Sequence, residues 1–234
     1  MGKSIQWRQP ATRAPREFSD MITFGTRSRG GTGYMSYSEK AGPAVLVLHE
    51  FFGLQPSFRS YADALEREGF TVLVPDLYDG RLASNVAEAE AISDGLDFEQ
   101  TMQRLEAACE HLTANWHPRL GVIGFSLGAY LAIPLVQRRP VEATVVYYGI
   151  NEVDPNRWSG PLLGHFATVD EWTPLQEVND FFAGLSTAGI DAQMYSYENT
   201  GHWFANESVP DAFDSGAAGL AFNRTVDFLR HHLA

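Results

Sequence analysis

The 234-residue sequence lacks several features that mark particular classes of protein. Its single cysteine, Cys109, cannot form an intramolecular disulfide. Only 17 lysines and arginines stand against 29 aspartates and glutamates, giving a formal net charge of −12. A nucleic-acid partner is therefore not expected, because phosphate contacts need clustered basic residues. No run approaches about 18 consecutive apolar residues, and the polar segment 1–17 does not resemble a signal peptide. These absences predict a cytoplasmic protein without a membrane span.

The chain does contain short apolar runs that alternate with segments of helical spacing. Six runs predict strands buried on both faces of a sheet: 44–50, 71–77, 120–126, 143–148, 161–166 and 192–197. Apolar periodicity predicts helices at 57–68, 86–93, 97–114, 127–137, 175–188 and 217–233. Such alternation implies parallel strands joined by right-handed crossovers. We predict an α/β fold, a mostly parallel central sheet with helices on both faces, forming one domain over 21–234 after an N-terminal arm at 1–20.

Two segments near the N-terminus, 21–26 and 34–38, predict an antiparallel hairpin. The residues between them are rich in glycine and serine, and we interpret 30–33 as part of the turn and not as a nucleotide-binding loop. No two histidines or cysteines lie at ligand spacing beside a carboxylate cluster. The sequence therefore predicts neither a cofactor nor a metal.

One motif points to nucleophilic catalysis. Residues 124–128 read GFSLG, which matches G-x-S-x-G around Ser126. The motif follows a predicted buried strand and opens a predicted helix, the context that exposes a nucleophilic serine on a tight turn. An alternative is that Ser126 only caps the helix. The context favours a nucleophile, which needs a base to take its proton and a third group to orient that base.

In this class of fold the acid and then the histidine follow the serine along the chain. Four histidines lie downstream, at positions 165, 202, 231 and 232. His202 is the candidate base, because it lies in the loop after the last predicted strand, at the edge of the sheet that carries Ser126. The acid should follow the strand predicted at 161–166, where Asp170 comes first. Glu171 and Asp154 remain open as alternatives.

Several segments, in this order, resemble the dienelactone hydrolase family of α/β-hydrolases. They are VLHEFFG at 47–53, VPDLY at 74–78, GFSLG at 124–128, DEWTP at 170–174 and YENTGHWF at 197–204. The resemblance extends from about residue 21 to the C-terminus. It implies an esterase or lactonase acting on a small organic substrate, with Ser126, His202 and Asp170 as nucleophile, base and acid. It also implies that the backbone N–H groups of Phe51 and Leu127 form the oxyanion hole.

The resemblance suggests a substrate-binding set as well: Glu50, Tyr78, Arg81, Trp203 and Asn206. Three positions depart from the namesake enzyme. Its nucleophile is a cysteine, which in the resting enzyme interacts with the glutamate at the position of Glu50. It has an arginine at the position of Asn206, and a second arginine one place before Arg81. We therefore expect neutral esters to be preferred to substrates with a free carboxylate, in a pocket lined by 78–96 and 203–216.

Other functions fit the same residues. A general carboxylesterase, a thioesterase or an acyltransferase could use an identical Ser-His-Asp triad, and a binding module could keep the fold without turnover. The expected partner is a small-molecule ester or lactone, and the expected state is a monomer or a small homo-oligomer.

Overall fold

A computed structural model describes residues 19–38 and 40–234, so residues 1–18 of the arm predicted at 1–20 lie outside the described residues, and its last two residues belong to the first strand. One eight-stranded sheet has the order β1-β2-β4-β3-β5-β6-β7-β8. The strands are β1 (Ser19–Gly25), β2 (Gly30–Ser36), β3 (Ala44–Leu48), β4 (Thr71–Pro75), β5 (Leu120–Phe125), β6 (Ala143–Tyr147), β7 (Leu162–Ala167) and β8 (Ala192–Tyr197). Strands β3 to β8 are mutually parallel, whereas β2 pairs antiparallel with both of its neighbours, β1 and β4. The predicted fold class is confirmed.

Six helices connect or follow these strands: α1 (Pro56–Arg67), α2 (Val86–Ser93), α3 (Phe98–Asn115), α4 (Leu127–Arg138), α5 (Leu175–Thr187) and α6 (Ser215–Leu233). Both faces of the sheet are covered. Helices α1 and α6 pack on one face, where their apolar residues meet alternate strand residues such as Val45 and Val47. Helices α3 and α4 pack on the other face, against Leu46 and Leu48. Cys109 is fully buried in α3, as its helical spacing predicts.

The N-terminal hairpin is confirmed, but its turn is shorter than predicted. The turn comprises residues 26–29, and the glycines at 30, 31 and 33 belong to strand β2. Close packing explains their place in a strand. A Cβ on Gly30 would lie 2.2 Å from the Phe24 carbonyl oxygen, and one on Gly33 would lie 2.7 Å from that of Val74. The glycine-rich appearance therefore reflects close strand contacts and not a loop.

The carboxyl ends of the parallel strands meet at one edge of the sheet, which is where ligands bind in open α/β folds. Strand β5 lies between β3 and β6, so the residues that follow these three strands are neighbours in space. In the part of the chain that the structure describes, no helix is both long and apolar enough to cross a membrane. Nor do 19–38 and 40–234 bring three or more histidine, cysteine or carboxylate side chains together in a way that could hold a metal.

Candidate active site

Ser126 occupies a strained turn between β5 and α4. Its backbone has φ 49° and ψ −112°, a conformation rare for a residue with a side chain. The turn requires the two glycines of the motif. A Cβ on Gly124 would lie 2.3 Å from the Gly128 carbonyl oxygen, and one on Gly128 would lie 2.2 Å from that of Leu48. Although Ser126 stands at the N-cap of α4, its side chain makes no capping hydrogen bond. The helix-capping alternative therefore finds no support in the geometry.

His202 brings an imidazole to this serine. It lies in the loop after β8, its side chain is 6% exposed, and its Nε2 is 2.8 Å from the Ser126 Oγ. The neighbouring Trp203 has φ 65°, so the chain reverses sharply at this point. The loop thus directs the imidazole across the ends of β7 and β6 to the end of β5.

Asp170 completes the chain of hydrogen bonds. Its Oδ2 lies 2.8 Å from the Nδ1 of His202. The other oxygen, Oδ1, accepts the backbone N–H groups of Trp172 and Thr173 at 2.8 and 3.0 Å, which fixes the carboxylate. Of the two alternatives, Glu171 is exposed, and Asp154 accepts from Asn156 within its own loop. The structure therefore joins Asp170, and neither alternative, to the imidazole.

A cavity of about 340 Å³ opens beside Ser126. Five residues of the predicted site line it: Phe51, Ser126, Leu127, His202 and Trp203. Sequence reasoning missed seven others: Tyr130, Tyr148, Gly149, Ile150, Trp172, Thr173 and Glu177. The expectation that 78–96 and 203–216 line the pocket is wrong except for Trp203, because α4, α5 and the loops after β6 and β7 form most of the wall.

The Leu127 N–H is one of the two oxyanion-hole donors that the resemblance implies. It belongs to the first turn of α4, where backbone N–H groups have no partner within the helix. Phe51 follows β3, the strand that pairs with β5, and both Phe51 and Leu127 line the same cavity. A carbonyl oxygen of a bound substrate can therefore approach both segments while its carbon faces the serine.

Glu50 and Asn206 bind each other instead of lining the cavity. Both are buried, and the Asn206 amide donates to Glu50 Oε1 at 2.6 Å and to Gln55 at 3.0 Å. The second Glu50 oxygen accepts from the Tyr148 hydroxyl at 2.9 Å. Asn206 therefore does not line the cavity beside Ser126, because its amide is directed to Glu50 and Gln55. Glu50 likewise contacts neither the cavity nor Ser126, whose hydroxyl is bonded to His202.

Burial raises the pKa of Glu50 to about 7, and the hydrogen bonds from Asn206 and Tyr148 partly offset this. The carboxyl group of Glu50 joins three segments beside the site. Glu50 precedes Phe51, Asn206 follows His202 by four residues, and Tyr148 directly follows β6, the strand beside β5.

Tyr78 and Arg81 also lie away from the cavity. Tyr78 is fully buried, and its hydroxyl donates to the Phe51 carbonyl oxygen at 3.1 Å. The Arg81 Nε donates to the Tyr78 carbonyl oxygen at 3.1 Å. The loop after β4 folds beneath residues 51–53 and is held there by the bond from Ala83 N to Phe52 O. These two residues therefore support the segment that carries Phe51 and do not reach into the pocket.

Tyr148 is the most consequential residue that sequence reasoning missed. It has φ 37°, its ring centroid lies 4.8 Å from that of His202, and its carbonyl oxygen accepts from the Thr173 hydroxyl. With Ser126 and Trp203 it is one of three cavity-lining residues with positive φ, among five such non-glycine residues in the described chain. Strain of this kind concentrates at functional sites. The available signal was its position at the carboxyl end of the strand next to β5.

Ser126 lies at the carboxyl edge of the sheet and is hydrogen-bonded to an imidazole, which is itself hydrogen-bonded to a carboxylate. This arrangement is typical of hydrolases that use a nucleophilic serine. Together with the sheet topology, it defines the class as the α/β-hydrolase fold. A model of the dienelactone hydrolase family matches residues 32–233, and the chain belongs to this family, whose members hydrolyse lactone and ester bonds.

Individual relatives agree with this assignment. The chain is 28% identical over 231 residues to protein usf of Aquifex pyrophilus, covering 91% of this chain and 98% of that protein. It is also 28% identical over 216 residues to a carboxymethylenebutenolidase of Pseudomonas putida, covering 83% and 88% of the two chains. The crystal structure of a dienelactone hydrolase from Anabaena variabilis superimposes with a TM-score of 0.70 at 18% identity, covering 92% and 98%. That structural likeness shows the shared fold.

Proposed function

We propose that this protein is a serine hydrolase that cleaves an ester or lactone of a small organic acid through an acyl-enzyme. One observation carries the proposal. The Ser126 Oγ, the two His202 nitrogens and Asp170 Oδ2 form a continuous chain with both contacts at 2.8 Å, and this chain faces a cavity. The single buried cysteine suits a reducing compartment, and we propose the cytoplasm.

In the proposed first step, Nε2 of His202 takes the proton from Ser126 as Oγ attacks the carbonyl carbon. Asp170 holds the imidazole in the tautomer that accepts this proton and stabilises the imidazolium that forms. The negative oxygen of the tetrahedral intermediate accepts hydrogen bonds from the backbone N–H groups of Phe51 and Leu127. Each such bond typically stabilises the transition state by about 3 kcal/mol. As the intermediate collapses, the carbon–oxygen bond to the leaving group breaks, and His202 protonates the leaving alcohol.

The second step repeats the first with water. His202 takes a proton from water, the hydroxide attacks the acyl carbon, and the bond to Ser126 breaks. The proton returns to Oγ and the free acid leaves. In a lactone the leaving alcohol remains attached to the acyl group, so one ring-opened hydroxy acid is released.

Labelling with a fluorophosphonate tests this proposal, because the reagent phosphonylates only an activated serine. We expect stoichiometric labelling, with the modified peptide containing Ser126, and hydrolysis within a panel of neutral esters and lactones. Ser126→Ala should take no label. A folded protein that takes no label would be a binding module, and a label on another residue would overturn the proposed nucleophile.

A further inference from the structure

The cavity beside Ser126 has an unusual chemical lining. Five of its residues are aromatic: Phe51, Tyr130, Tyr148, Trp172 and Trp203. Apart from His202 and the tyrosines, Glu177 is the one lining residue among the described residues that has an ionisable side chain. No lysine or arginine of the described chain lines it. The wall therefore offers aromatic faces and one negative charge, and no cation to bind a substrate carboxylate.

Four of these aromatic side chains, all but Tyr130, are linked by ring contacts to one another or to His202, and solvent still reaches the group. The Trp172 ring centroid lies 5.9 Å from that of Phe51, 5.8 Å from that of Trp203 and 6.0 Å from that of His202. Trp172 is 53% exposed, and Tyr130, at the start of α4, is 48% exposed. Large exposed aromatic groups beside a nucleophile indicate a surface that a ligand covers. Because aromatic faces carry negative electrostatic potential, they attract cations as well as apolar groups.

Glu177 lies in the first turn of α5 and is exposed. Its position near a helix N-terminus is favourable in itself, so the carboxylate alone would not indicate a ligand. Within the described residues, however, its carboxylate takes part in no hydrogen bond or ion pair, and it shares the cavity with the aromatic group. A carboxylate beside exposed aromatic faces is the combination that recognises ammonium groups.

We infer that the substrates of this site are esters carrying an ammonium group, which packs against the aromatic residues near Glu177 while the ester carbonyl reaches Ser126. The inference rests on the proposed hydrolase function and names its substrate class. It extends the expectation of neutral substrates, because the wall favours positive charge and does not merely lack a partner for negative charge.

The test compares two acetate esters of nearly identical shape. Acetylcholine carries a trimethylammonium group, and 3,3-dimethylbutyl acetate has carbon in place of that nitrogen. We expect kcat/KM to be about tenfold higher for the cation, through a lower KM. Raising the salt concentration should reduce the preference, because exposed charges are screened. Equal values, or a preference for the neutral ester, would overturn the inference while leaving the hydrolase function intact.

The remaining outcomes are also distinct. If Ser126 takes the fluorophosphonate label but neither ester is cleaved, the inferred substrate class is wrong. If Ser126 takes no label, the proposed function itself fails.

Two matched variants separate a local contact from the general acidity of the protein. Glu177→Gln and Glu171→Gln each remove one exposed carboxylate, but only Glu177 lines the cavity. We expect Glu177→Gln to lower the preference for acetylcholine several-fold by raising its KM alone. Glu171→Gln should leave the preference unchanged. Equal losses in both variants would assign the effect to net charge and contradict the local contact.

Discussion

Of three buried histidines in the described chain, His165 and His202 are hydrogen-bonded to other side chains through both ring nitrogens, and only His202 lines the cavity beside Ser126. His202 joins Ser126 to Asp170. His165, within β7, contacts the Tyr197 hydroxyl at 2.8 Å and the Thr225 hydroxyl at 3.1 Å, and it does not line that cavity. Both imidazoles thus have partners at both nitrogens, so having two partners does not by itself make a histidine reactive.

The difference lies in the partners and the surroundings. Burial, together with the Arg224 guanidinium, lowers the pKa of His165 to about 3, and its hydrogen-bond partners are hydroxyl groups. His202 instead has a carboxylate on Nδ1, which can stabilise the imidazolium that forms when Nε2 takes a proton. A strand interior therefore keeps its histidine neutral, whereas the loop at the strand end provides both the carboxylate and access to substrate.

The largest effect is expected from removing the serine of the hydrogen-bonded series Ser126, His202 and Asp170. Ser126→Ala should lower kcat by about 10⁴-fold or more, because the remaining groups have no nucleophile to activate. The melting temperature should stay close to that of the wild type, since the serine side chain caps no helix. Steady-state kinetics on a neutral ester, with exposed Ser60→Ala as the matched control, provide the measurement. Wild-type turnover by the Ser126 variant would contradict the proposed nucleophile, and with it the catalytic role that separates His202 from His165.

A somewhat smaller loss should follow from altering the carboxylate. Asp170→Asn keeps the shape but removes the charge, and we expect kcat to fall about 10³- to 10⁴-fold because the imidazole loses its orienting acid. Glu171→Gln, the neighbouring change, should leave kcat for the neutral ester near the wild-type value. If Glu171→Gln were the more damaging of the two, the acid would have been assigned to the wrong residue.

Replacing the buried His165 should affect the stability of the protein and not its catalytic activity. His165→Gln weakens the contacts to the Tyr197 and Thr225 hydroxyls, which keep their second partners, Arg224 and Tyr147, and the loss of one such hydrogen bond costs about 0.5–1.5 kcal/mol. We expect urea denaturation to show that loss in the free energy of unfolding, while kcat/KM stays near the wild-type value. A large loss of activity in a stably folded variant would place His165 in the catalytic machinery and erase the contrast with His202.

The same variant has an expected pH signature. The folded-state pKa of His165, about 3, lies below the 6.5 of an unperturbed histidine, so only the unfolded chain takes up this proton between those values. Its contribution to stability is therefore complete above pH 6.5 and is lost as the pH falls towards 3. The stability advantage of the wild type over His165→Gln should shrink between pH 7 and pH 4. An advantage that grew on acidification would contradict a neutral, buried imidazole.

The sequence allowed this contrast to be predicted in part. Ser126, Asp170 and His202 each lie at or after the end of a predicted strand, and the carboxyl ends of parallel strands meet at one edge. His165 instead falls inside the strand predicted at 161–166. These positions depend on local periodicity and chain order, both of which are visible in a single sequence.

The cavity wall was much harder to predict. Trp172 and Glu177 belong to a loop and a helix whose position depends on tertiary packing. Trp172 lies in the DEWTP segment, but nothing in that segment indicates that its ring lines the cavity, and Glu177 lies in no motif. Asn206 was predicted to face the substrate. The chain instead makes a turn closed by the hydrogen bond from Asn206 N to Trp203 O, and the Asn206 amide is directed towards Glu50. Gly30 and Gly33 were interpreted as turn residues. They are glycines because neighbouring strands approach closely, and that approach cannot be read from the local sequence.

The central claim is that Ser126 is acylated during turnover because His202, and not His165, faces the cavity. An acid quench of the wild-type protein milliseconds after mixing with a p-nitrophenyl ester, followed by peptide mass spectrometry, tests this most directly. The account predicts an acyl group on the peptide containing Ser126, together with a burst of nitrophenol that matches the enzyme concentration. Steady turnover with a burst and an acyl group on any other residue would contradict it.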